Sequence, residues 1–157
     1  MYVYMYMYGY MYDHTRSCNC RIKADCPLDG KCLASCLVYK AEIVSDTLNG
    51  VYYGSSEGEF KTRYNNHTKS FRHRKHQNDT ELSKCVWKLK DEGKEYVVKW
   101  TIARRAFTYK CGTRRCDLCL SEKVCIIRAE PHGLLNKRTE LISKCRHRNK
   151  YTLNNLK

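Results

Sequence analysis

The chain has 157 residues, with 30 Lys and Arg against 16 Asp and Glu, and a net charge of +14. Leu, Ile, Val and Phe make up only about a fifth of it, so its apolar content fills one modest domain at most. The charge excess points to a polyanion, nucleic acid before an acidic membrane surface, and no stretch reads as a membrane span.

Residues 1–17 read as a disordered, low-complexity leader in which all four Met and six of the thirteen Tyr crowd into the first twelve positions. It lacks a basic n-region and a small-residue cleavage site, so it is no secretory signal. A nuclear or cytoplasmic rather than secreted chain follows, with reduced thiols for which metal is a better use than disulfides.

Residues 18–36 form a Cys-rich knuckle. Cys18, Cys20, Cys26 and Cys32, with Cys36 just beyond, fall among the turn-formers Pro27, Asp29 and Gly30. Four thiolates at that density suit tetrahedral Zn²⁺; the alternative is a set of uncommitted thiols.

Two strands follow, Leu37 to Val44 and Val51 to Ser55, with Asn49-Gly50 as the hairpin signal. A helix is expected from about Glu57, with Phe60, Tyr64, His67 and Phe71 on one face. The run Arg72, His73, Arg74, Lys75 and His76 is the densest basic patch and a candidate phosphate contact. Asp79-Thr80-Glu81 reads as the start of a second helix that stops at Gly93 and carries Cys85 toward the core. Tyr96 to Ile102 is a third strand, Asp117 to Arg128 a helix ended before Pro131, and 139–145 a short last helix. The fold class is mixed α/β, a mainly antiparallel three-stranded sheet flanked by helices and preceded by the knuckle. The domain spans 37–147, and 148–157 is a basic tail.

Cys116-x2-Cys119 is a second candidate metal pair, which Cys111, Cys145 or His147 could complete. Burial as small apolar groups is the competing use of Cys119 and Cys125.

The order of Leu37-Val38-Tyr39, Tyr52-Tyr53-Gly54, Arg63 and His67 on the first helix, Glu122 on the third and Asn136 beyond it resembles the GIY-YIG nuclease family. The resemblance covers about residues 37–145. Its closest variety looks like the nuclease domains attached to Penelope-like retroelement reverse transcriptases. Leu37 stands where the first motif has Gly, and Tyr53 where the second has Ile; neither change removes a catalytic group.

The resemblance implies a metal-dependent DNA endonuclease in which Tyr39 and Tyr52 line the site and help deprotonate water. Arg63 would grip phosphate, Glu122 would hold Mg²⁺ or Mn²⁺, and His67 would orient the nucleophile or protonate the leaving group. Gly54, Asn136, Arg72, Arg74 and Lys75 would contact DNA. A reverse transcriptase or a longer parent polyprotein is an implied partner. The alternative is an inactive nucleic-acid-binding module of the same fold. Taken singly, the two tyrosines read first as strand aromatics and Arg63 as a surface cation, while Glu122 reads equally as a solvated helix residue. The hydrolytic reading requires the two phenols, Arg63 and Glu122 to converge on one concave, positively charged surface, with the acid on the same side of the sheet as the phenols.

Overall fold

The computed structural model describes residues 17–108, 116–141, 144, 145 and 147. The expected leader (save Ser17), the tail and Cys111 lie outside the described residues.

Strand β1 (Leu37–Ser45) pairs antiparallel with β2 (Asn49–Ser56) on one side and with β3 (Tyr96–Arg105) on the other, giving the order β2-β1-β3. The hairpin turn lies at Asp46-Thr47 rather than at Asn49-Gly50, which are ladder residues paired with Val44 and Ile43. Ser45 makes the turn: its hydroxyl donates to the Leu48 carbonyl at 3.0 Å and accepts from the Leu48 N–H at 3.0 Å. Gly50 serves packing instead, since a Cβ there would lie 2.9 Å from the Ile43 side chain.

Helix α1 (Phe60–Arg72) starts three residues later than expected, because Glu57 to Glu59 are spent on the strand exit. No side chain caps it. Its first N–H groups bond instead to the knuckle, Phe60 N to the Ala34 carbonyl and Lys61 N to the Cys32 carbonyl, both at 2.8 Å. Helix α2 (Glu81–Asp91) is capped by Thr80, whose hydroxyl accepts from Ser83 N at 3.0 Å.

Both helices pack on one face of the sheet. Tyr39, Ile43, Phe60, Leu82, Val86 and Leu89 are buried there, with Leu28 of the knuckle in the same core. The knuckle is therefore built into the domain. Each large side chain buried in this way contributes roughly 1.5–3 kcal/mol.

Helix α3 (Asp117–Arg128) has the expected bounds. It covers the opposite face: Tyr53 packs with Val38, Leu118 and Cys119, while its neighbour Tyr52 points into the α1 core. The following loop zips onto the outer edge of β2, with Val51 N donating to Gly133 O and Leu135 N to Val51 O, each at 2.8 Å. Helix α4 (Arg138–Leu141) is shorter than the expected 139–145, since Lys144 and Cys145 are outside it. Among the described residues no helix is long and apolar enough to cross a membrane.

Candidate active site and metal centres

Tyr52, Arg63, His67 and Glu122 line one cleft of about 840 Å³. Strand β2 supplies Tyr52 and Ser55, α1 supplies Arg63 and His67 one turn apart, and α3 supplies Glu122. Although α3 packs on the sheet face opposite α1, its carboxylate still reaches the cleft: Ser55 Oγ donates to Glu122 Oε2 at 2.9 Å. The acid therefore comes from the sheet face opposite the phenols, not from the same side as expected, and shares the cleft with Tyr52 alone of the two.

Tyr39 does not line the cleft. It is fully buried beneath it, and its hydroxyl lies 2.8 Å from His67 Nε2. Burial pushes the Tyr39 phenol up to about 12, against the downward pull of the Arg63 guanidinium. Tyr52 is raised further, first by burial and then by the neighbouring Tyr39, Glu140 and Glu122. Both phenols are therefore neutral at pH 7. Burial and Arg63 hold His67 down to about 4, so its ring is neutral too. Arg63 Nε is a buried donor with no hydrogen-bond partner among the described residues.

Glu122 is raised by burial and by the nearby Glu140 charge, while the Ser55 hydrogen bond opposes the rise. Glu140, which lines the same cleft, is itself raised by burial and by the Glu81 charge, against its hydrogen bond to Asn136. Among the described residues these carboxylates are not part of a cluster of three or more metal-ligating groups; the clusters of that kind lie at cysteines and a histidine.

The cleft is not the positively charged surface expected. Arg63, Lys69 and Lys144 line it against Glu57, Glu59, Asp79, Glu122 and Glu140. Arg72, Arg74 and Lys75 lie outside it, and Arg74 is engaged elsewhere, bonded through both amino groups to Asp91 at 2.9 and 3.0 Å. Gly54 is buried under the Tyr39 ring. Asn136 is committed to β2: its Oδ1 accepts from Tyr53 N and its Nδ2 donates to Tyr53 O, both at 2.8 Å, while Nδ2 also reaches Glu140.

Ser55 and Glu140 were not singled out from sequence. A hydroxyl one residue past the Tyr-Tyr-Gly run is the one signal that could have pointed to Ser55. Nothing in the sequence pattern marked Glu140.

Two side-chain clusters are arranged to hold a metal ion such as zinc. In the knuckle the sulfurs of Cys18, Cys20, Cys26 and Cys32 lie within 4.8 Å of one another. Cys32 Sγ is 3.6 Å from Cys18 Sγ and 3.7 Å from Cys20 Sγ, far beyond a disulfide and close to the ~3.8 Å edge of a tetrahedral zinc thiolate site. Burial raises the Cys26 thiol, but the backbone N–H groups of Leu28 and Gly30 aimed at its sulfur outweigh this and bring it to about 6. Asp29 and Gly30, at φ of +48° and +82°, turn the chain so that those groups face inward. The second cluster joins Cys116 and Cys119 to Cys145 and His147.

Comparison of the chain with protein-family models, with curated proteins and with solved structures finds no match.

Proposed function

We propose that this chain is a divalent-metal-dependent endonuclease that hydrolyses DNA phosphodiester bonds. The observation that carries the reading is the convergence of Tyr52, Arg63, His67 and Glu122 on one cleft, with Tyr39 bonded to His67 from beneath. Glu122 would hold the ion, and Glu140 lines the same cleft. A bound Mg²⁺ or Mn²⁺ would supply charge that offsets the acid excess, polarises phosphate and acidifies water. Arg63, whose planar fork matches two phosphate oxygens, grips the scissile group. Neutral Tyr52 orients the attacking water by hydrogen bonding, a role open to a phenol that has not ionised. Tyr39 acts through His67, which it holds in one ring orientation on the cleft wall. At pH 7 His67 carries no proton to give as an imidazolium, so its part is orientation rather than leaving-group protonation.

The knuckle thiols bind structural zinc, and thiol ligation suits the reducing nucleus or cytoplasm. Origin as a retroelement module, beside a reverse transcriptase or within a longer polyprotein, belongs to the same proposal and rests on the motif resemblance.

Incubation with plasmid DNA and Mg²⁺ or Mn²⁺ tests the reading, which requires cutting that fails in Arg63→Ala. The acid excess of the cleft favours the second reading, a module that binds nucleic acid through its basic exterior without cutting. Binding that weakens steeply with salt, and no cleavage with either ion, selects it.

A further inference from the structure

We infer that a zinc ion at Cys116, Cys119, Cys145 and His147 is the clasp that assembles the acidic wall of the cleft. The inference deepens the nuclease reading, though its first half, the metal site, stands independently of it.

The four groups come from two parts of the chain. Cys116 caps α3 and Cys119 lies one turn in, while Cys145 and His147 follow α4. All four donor atoms lie within 4.8 Å of one another. His147 Nδ1 sits 3.3 Å from Cys116 Sγ, 3.1 Å from Cys119 Sγ and 3.6 Å from Cys145 Sγ, near the ~3.5 Å sulfur–nitrogen edge of a tetrahedral zinc site. Three thiolates and an imidazole are soft and borderline donors, unlike the oxygen pair at Glu122 and Glu140, so the two centres select different ions.

The location gives the site its consequence. Cys119 and His147 line the same cleft as Glu122 and Glu140. Glu122 follows Cys119 by three residues on α3, and Glu140 precedes Cys145 by five. An ion joining these segments fixes the spacing of the two carboxylates. The α3 helix needs such a restraint, because its cluster against the sheet is small: Val38, Cys116 and Leu118 are its buried members.

The test uses the full chain purified with zinc. Metal analysis should find two zinc ions per chain, and one in the Cys145→Ser/His147→Ala variant. His147→Cys, which keeps four soft donors, should retain both and controls for misfolding. Mn²⁺ titration followed by electron paramagnetic resonance should show affinity in the cleft falling at least tenfold in the double variant and surviving in His147→Cys. Two zinc ions in the double variant would overturn the site. One zinc with unchanged Mn²⁺ affinity would overturn the clasp. If the wild-type chain binds no Mn²⁺, the nuclease reading and the clasp fail together while the zinc count still decides the site.

Discussion

Gly54 stands directly across the β1–β2 ladder from Tyr39, and a Cβ at position 54 would come within 2.3 Å of the Tyr39 hydroxyl. The close approach lets the ring lie flat over β2 and carry its oxygen to His67. Gly54→Ala should therefore displace Tyr39, cost about 1–3 kcal/mol in denaturant unfolding and reduce any cleavage activity along with it. Unchanged stability would show that the ring has another place to go.

His67 sets an acid limit on stability. Its pKa is held at about 4 in the fold against an ordinary 6.5 in the unfolded chain. The unfolded state thus binds the proton more tightly, so this contribution is complete above pH 6.5 and is lost as pH falls toward 4. The loss amounts to about 3 kcal/mol for a buried ring. Glu122 and Glu140, both raised first by burial, act in the opposite sense. Subtracting the profile of His67→Gln from wild type isolates the histidine, and a flat difference between pH 6.5 and 4 would contradict it.

Asn136 anchors the loop after α3 by gripping both backbone groups of Tyr53. Asn136→Ala leaves those groups on an edge strand without their partners. A loss of roughly 1–3 kcal/mol is expected, together with faster amide exchange at Val51 and Tyr53. Exchange unchanged at those two residues would argue against the anchor.

Zinc in the knuckle should stabilise more than the knuckle itself, because Cys32 and Ala34 cap α1 with their carbonyls. A structural zinc contributes on the order of 10 kcal/mol. Chelation, or Cys32→Ser, should lower the melting temperature and fray the helix carrying Arg63 and His67. Circular dichroism that is insensitive to chelator would contradict this coupling.

The antiparallel sheet of a mixed α/β fold and the bounds of α3 were legible because periodicity marks the strands and agrees with the Pro131 stop at the helix. The hairpin was misplaced because Asn49-Gly50 carries the commonest turn signal, whereas Gly50 is small for packing and Ser45 closes the turn. Glu140 stayed invisible because nothing local distinguishes it; the β2 zipper at Gly133, Leu135 and Asn136 carries it to the cleft. The pairing of Cys116 and Cys119 with His147 was one option among several, since spacing fixes ligand type but not which distant segment returns. The basic run at 72–76 misled for a different reason: charge density says nothing of direction, and Arg74 turns to Asp91 and the Trp87 ring.

The most direct measurement is the single-turnover rate of plasmid cutting with saturating Mn²⁺ for the zinc-loaded wild type beside Glu122→Gln. The amide keeps the shape and the Ser55 contact while removing the charge that holds the ion, so the rate should drop at least ~100-fold. Equal rates in the two proteins would contradict a hydrolytic centre at Glu122.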